Sequence, residues 1–204
     1  MEVPSDTYRT LVTPCEEIIF KAKKSKFYAI AFPIKSETEV KPLIKDLKKK
    51  HHTANHVCYA WQLGAENPRY RANDDGEPNN SAGMPIYGQI LAYDVTNVLV
   101  AVTRIFGGTK LGVGGLISAY REASQLALAS SKIIVKTITD TFELSFTYSD
   151  MDIVMRLIKQ NNVEIISQHL EIDCKLIIAI RKSDSSAFQN KIEAIHTVSL
   201  KKEQ

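Results

Sequence analysis

The sequence predicts an α+β protein in two parts, and three observations predict it. Short β-branched and aromatic runs alternate with amphipathic stretches at helical spacing along the chain. All nine glycines lie between Gly64 and Gly115, and no proline follows Pro85, so the last 89 residues read as plain alternating elements joined by polar turns. From residue 132 onward they follow the order β-α-β-β-α-β, the order of ferredoxin-like domains. A boundary is expected near Ser130-Ser131-Lys132, dividing the chain into residues 1–131 and 132–204.

The first part opens with a hairpin, Ile18 to Phe20 and Phe27 to Phe32, around a lysine-rich turn. A helix follows: Ser36 and Glu39 have capping-box spacing, and Val40, Leu43, Ile44 and Leu47 form one apolar stripe. Lys48 to Lys50 suit the negative end of its dipole. Next come a strand from Val57 to Leu63, a polar loop from Ala65 to Asn80, a short helix around Ile86 to Ala92, and a strand from Val95 to Thr103. A glycine turn then leads into a long helix ending near Ala129. In the second part, Ile133 to Phe146 reads as one strand and Asp150 to Gln160 as a helix. Val163 to Ser167 pairs with Glu171 to Ile180 as a hairpin, Asp184 to Ile195 is helical, and Thr197 to Leu200 closes the sheet at its edge.

A hydrophobic content of 44% is ample for a packed core and argues against disorder. No apolar run is long enough to span a bilayer. The polar, acidic N-terminus (Met1 to Asp6) does not read as a secretory signal. Cys15, Cys58 and Cys174 are odd in number and widely spaced, with no metal-type pattern, which points to a reducing, cytoplasmic home. The net charge is +3, and the excess sits early: residues 1–130 hold 16 Lys/Arg against 13 Asp/Glu, whereas 131–204 hold 10 of each. Phosphate contact and a solvated helix face both account for such lysine clusters.

Three stretches carry possible chemistry. The run Gly107-Gly108-Thr109-Lys110-Leu111-Gly112-Val113-Gly114-Gly115 joins a strand to a helix. No Gly-Lys-Ser/Thr closes it as a P-loop, and Ile117 stands where a dinucleotide fingerprint needs its third glycine. What remains is an anion site built from free helix-start N–H groups, Lys110 and Arg104. The acidic loop Asp74-Asp75-Gly76-Glu77-Pro78 lacks calcium-loop spacing. A general base, a weak magnesium site and simple turn chemistry are its readings, with turn chemistry favoured. His56 and Cys58, two apart on a strand, share a face. A nucleophilic pair is conceivable, but burial is commoner for cysteine. No metal centre and no cofactor are expected.

Together these motifs resemble one family. Lys24-Ser25-Lys26-Phe27, His56-Val57-Cys58-Tyr59-Ala60, Asp74 to Pro78 with Ala82-Gly83-Met84-Pro85, and Val102 to Gly108 with Leu111 to Leu116 and Ala119-Tyr120 occur in the order found in the YigZ/IMPACT family. The resemblance covers residues 15–130. It implies a first domain like the β-α-β domain of ribosomal proteins and of elongation factor G domain IV. It implies a second, ferredoxin-like domain like that factor's domain V. Eukaryotic members carry an extra N-terminal module, for which this chain is too short ahead of the motifs, and they regulate translation initiation through a stress-kinase pathway. The family surface falls here on Lys26, His56, Cys58, Asp75, Glu77, Arg104, Gly107, Gly108, Lys110, Gly112, Gly114 and Gly115. Asn79-Asn80-Ser81 departs from a stretch that is usually smaller and richer in glycine or threonine.

Two functions are compatible with these residues. In the favoured one, the protein binds RNA or the ribosome in translation, contacting the anion through Lys26, Arg104, Lys110 and the glycines at 107, 108, 112, 114 and 115. In the other it is a hydrolase in which His56, Cys58, Asp75, Glu77 and Arg104 share a cleft. His56, Asp75 and Arg104 within reach of one another would favour the second.

Overall fold

The computed structural model describes residues 6–203, and Met1 to Ser5 of the expected N-terminal segment lie outside them. The chain forms two compact units, Tyr8–Lys136 and residues 6–7 with 137–203. This division falls a few residues after Ser130-Ser131-Lys132, because the strand that follows that point pairs within the first unit.

In the first unit, β2 (Ile18–Ala22) and β3 (Ser25–Pro33) are joined by a two-residue turn, Lys23-Lys24, with φ of 42° and 69°. Positive φ at both central residues matches the twist of a tight hairpin. Glu39 Oε1 then accepts the Ser36 N–H at 2.9 Å, and a short 3-10 turn enters α1 (Val40–Lys50). β4 (His56–Leu63), β5 (Arg69–Asn73), α2 (Gly83–Ala92), β6 (Val98–Ile105) and α3 (Val113–Ala129) follow. The strands form one antiparallel sheet in the order β2-β3-β6-β4-β5. Thus β6 inserts between β3 and β4, and β4 between β5 and β6, so the connections through α1 and α2 are interleaved crossovers.

Alternation sorts the side chains. Phe27, Ala29, Cys58, Ala60, Val100 and Val102 pack with α2 and α3, including Ile86, Tyr120 and Ala123. Val57, Tyr59, Trp61, Leu99 and Ala101 pack on the opposite side with Val40, Ile44 and Leu47 of α1. The stretch from Ala65 to Asn80 is not wholly loop. Its Arg69-Tyr70-Arg71-Ala72-Asn73 is the edge strand β5, where charged residues suit an edge and Tyr70 stacks on Tyr87 at 4.0 Å. β1 (Thr7–Leu11), which the sequence pattern did not mark, pairs with β7 (Ile133–Thr137).

The expected single strand over 133–146 is therefore two, β7 and β8 (Thr139–Thr147), with different partners. Between them Ile138 turns its N–H to the Asp6 carbonyl at 2.7 Å. Local propensity runs unbroken through this point, and the break is set by pairing alone. The second unit continues with α4 (Met151–Gln160), β9 (Glu164–His169), β10 (Asp173–Arg181), α5 (Lys182–Glu193) and β11 (Ser199–Lys202). Its sheet order is β11-β8-β10-β9, all antiparallel. Phe142, Leu144, Phe146, Leu176 and Ile178 meet Val154, Ile158, Phe188 and Ile192 of the helices. The alternating positions Thr141, Glu143, Ser145 and Lys175 are polar, and the His169 ring of β9 stands opposite Lys175 on the same face.

Candidate functional site

At one end of the first sheet, His56 of β4 and Arg104 of β6 are directly opposed. Both side chains face the α3 layer. Arg104 Nη1 donates to Glu77 Oε1 at 2.6 Å, with the two side chains only 8% and 4% exposed. The guanidinium lies 5.7 Å from the Phe27 ring centre and 5.5 Å from that of Phe106. Its Nε is buried with no hydrogen-bond partner among the described residues. Glu77 Oε1 also accepts the Tyr120 hydroxyl at 2.8 Å. Two donors, one of them charged, make a buried carboxylate tolerable.

Cys58 lies on the same strand face as His56, as alternation predicts, in surroundings that disfavour a nucleophilic thiol. Its Sγ is buried, 3.0 Å from the Asp74 carbonyl and 3.3 Å from the Tyr120 hydroxyl. Burial above all, then the nearby Glu77, Asp75 and Asp74 charges, pushes the thiol well above its ordinary range, against the smaller downward pull of the Tyr120 hydrogen bond. The thiolate that nucleophilic chemistry needs is thus disfavoured. Tyr120 is likewise pushed up, first by burial and then by Cys58 and Glu77, so its hydroxyl keeps its proton as a donor.

The three acids of the loop do three different things. Asp74 Oδ1 accepts the Ala82 and Gly83 N–H groups at 3.0 and 2.8 Å, capping the start of α2, and Oδ2 accepts that of Asn80 at 2.9 Å. Asp75, held at φ 41°, accepts the Val57 N–H at 2.7 Å and Lys48 Nζ at 2.9 Å. Glu77 alone turns inward to Arg104. Asn80 takes φ 60°, a left-handed conformation open to asparagine, which accounts for a departure from glycine here. Among the described residues no group of three or more His, Cys, Asp or Glu side chains is arranged to hold a metal ion.

The Asp75 carbonyl fixes the His56 ring. Nδ1 lies 2.8 Å from it. A carbonyl only accepts, so Nδ1 carries a proton, and in the neutral form of the ring Nε2 is the acceptor. Asn55 beside it accepts the Phe106 N–H at 3.1 Å and gives its own N–H to the Arg104 carbonyl at 3.1 Å, which holds the start of the glycine turn.

That turn ends at Gly112, φ 77°, the N-cap of α3. Glycine offers no side-chain cap, and no acid occupies the first helical turn. The opening N–H groups of a 17-residue helix are therefore left to solvent or a ligand. They border a cleft of about 440 Å³ lined by His56, Glu77, Arg104 and Lys110, with Phe106 and Leu116 among its apolar walls. A smaller cleft of about 190 Å³ adjoins it, sharing Asn55 and His56 and holding Lys48, His51 and Asp75.

The expected site residues thus separate. His56, Glu77, Arg104, Lys110 and Gly112 line one cleft, while Gly114 and Gly115 lie in the helix turn that begins there. Asp75 lies in the adjoining cleft, its carboxylate taken by Val57 and Lys48. Lys26 is exposed opposite Ile105 and is absent from the lining of either cleft. Gly107 answers a packing need: an added Cβ would collide with the Lys24 carbonyl. The sequence pattern did not mark Asn55 or the Phe27 and Phe106 rings beside the Arg104 guanidinium. The register Phe27–Arg104–His56 was the signal, and it is a property of pairing across strands.

Residues 23–128 match the Impact N-terminal domain family. The IMPACT family member YigZ of Escherichia coli is 29% identical over 183 residues, covering 89% of this chain and 88% of its own. A hypothetical protein of known crystal structure is similar over 98% of both chains, with a TM-score of 0.73 and 25% identity. The two-domain translational regulator Yih1 aligns over 56% of this chain and 46% of its own with 30% identity, but its TM-score of 0.36 carries no argument about fold. With its matched domain filling just over half of its length and a YigZ relative aligned across most of it, the chain belongs to the IMPACT family.

Proposed function

We propose that this protein is a cytoplasmic binding protein of the translation apparatus that contacts RNA, free or in the ribosome, through the Arg104 cleft. One observation carries the reading. Arg104, the exposed Lys110 and an uncapped helix N-terminus converge on one concave surface. Fixed N–H groups and cations in a cleft favour a phosphate oxygen. Regulation of translation is the role that the family resemblance implies. Titration with a short RNA over a salt series tests the reading. Affinity should fall as salt rises, and Lys110→Ala should weaken it.

A hydrolase reading retains one favourable observation, the His56 tautomer, which leaves Nε2 free to accept a proton. Turnover of a phosphate ester, lost in His56→Ala and present in Cys58→Ala, would establish it in place of simple binding.

A further inference from the structure

Resting on the phosphate reading of the Arg104 cleft, we infer that Phe106 is the stacking platform of that cleft, and that its ligand is a single-stranded stretch of RNA which lays one base on the ring. A duplex does not suit it.

The lining is the first reason. Arg104 and Lys110 suit a phosphate, but Phe106, Leu111, Val113 and Leu116 make much of the remaining wall. A phosphate alone covers none of these apolar groups. At about 440 Å³ the cleft is of small-ligand size, with room for a base beside the phosphate. Paired RNA keeps its bases stacked inside the helix and is read through its shape, its phosphates and its 2′-hydroxyls. It has no apolar face to lay in this cleft. A single strand has one, because its bases splay out and every base carries a π-face.

The ring itself is the second reason. Phe27, also beside the Arg104 guanidinium, is fully buried, and its place in the core accounts for it. Phe106 lies just past the end of β6 and is 42% exposed, so core packing does not account for an aromatic residue there. Its backbone is nevertheless pinned on both sides. Asn55 Oδ1 accepts the Phe106 N–H at 3.1 Å, and Ser25 Oγ accepts that of Gly107 at 3.2 Å. A ring carried on a fixed backbone loses little freedom when a ligand arrives.

Charge is the third reason. The Arg104 guanidinium lies 5.5 Å from the Phe106 ring centre, and Lys110 lines the same cleft. Cations that track the backbone beside a ring that takes the base are the working parts of single-strand sites.

An RNA decamer without self-complementarity, alone or annealed to its complement, is titrated at matched salt into the full chain, Phe106→Ala and Phe106→Trp. The parent should bind the single strand about tenfold or more tightly than the duplex. Phe106→Ala should weaken single-strand binding by about fivefold or more, the loss of one stacked base. Its salt slope should stay that of the parent, because the ring carries no charge. Phe106→Trp should keep the affinity, and the single strand should quench the fluorescence of the introduced indole. The chain's own tryptophan, Trp61, is 4% exposed and packs with Val40 of α1, so it supplies a constant background. This second variant decides the matter even where Phe106→Ala does not fold. Single-strand binding that is unchanged in Phe106→Ala, or that leaves the introduced indole unquenched, overturns the stacking assignment and leaves the RNA reading intact. Equal or tighter binding of the duplex does the same. Absence of binding by both forms overturns both readings.

Discussion

Arg104 and Glu77 form an ion pair at 2.6 Å inside the first unit, and His56 sits directly across the strand from that arginine. The pair sets the charge of the cleft and ties three separate pieces of chain together: β6, the acidic loop and, through Tyr120, helix α3.

Removing one member of this pair should be costly. Glu77→Gln keeps the shape but leaves the guanidinium uncompensated, and urea unfolding should show a loss of about 3–5 kcal/mol. A loss below about 1 kcal/mol would mean that the pair is solvated in solution.

Two glycines of one turn should respond in opposite ways. Gly107→Ala drives a Cβ into the Lys24 backbone and should destabilise by about 2 kcal/mol or more, since neither strand end can retreat freely. Gly114→Ala enters open space in a helix and should be neutral or stabilising by up to about 1 kcal/mol. Thermal melts of the two variants decide it. Equal losses would refute the assignment of Gly107 to packing.

Much of this was legible in the sequence. Capping-box spacing placed α1, period-two alternation placed His56 and Cys58 on one face, and helical stripes marked α4 and α5. What was not legible depends on which strand meets which. Arg69 to Asn73 lacks an apolar alternation because it is an edge, so it read as loop. Ile133 to Phe146 read as one strand because β-propensity cannot show a change of partner. The site followed the same rule. Its arginine and glycines were visible, but the sorting of Asp75 into a neighbouring cleft and Glu77 into the core came from the fold of the loop.

Thiol chemistry provides a separate check. Cys58 and Cys174 are buried, while Cys15 is partly exposed. With its pKa pushed up mainly by burial, Cys58 should resist alkylation in the native protein at pH 8 and react on unfolding. Mass spectrometry after a short iodoacetamide pulse should find Cys15 modified first. Rapid native labelling at Cys58 would restore it as a nucleophile.

Acid should weaken the second unit in a defined window. The Asp6 carboxyl is held well below its ordinary value by hydrogen bonding to Arg181. At Asp140 burial acts upward, but the hydrogen bonds from Lys202 and Ser185 outweigh it, and the net shift is down. A folded pKa below the unfolded one gives stability that is full above the ordinary value of 3.8 and is lost as pH falls through the folded value. Melting temperature should therefore drop below about pH 4, and less steeply in Asp140→Asn. Identical acid profiles for the variant and the parent would exclude Asp140 as a contributor.

The most direct test of the central claim is the salt dependence of RNA binding by the parent and by Lys110→Ala, a variant whose exposed side chain leaves the fold undisturbed. Affinity that falls with salt, with a log–log slope shallower by about 1 in the variant, is the expected result. Affinity indifferent to both salt and the substitution would contradict the assignment of this cleft to phosphate.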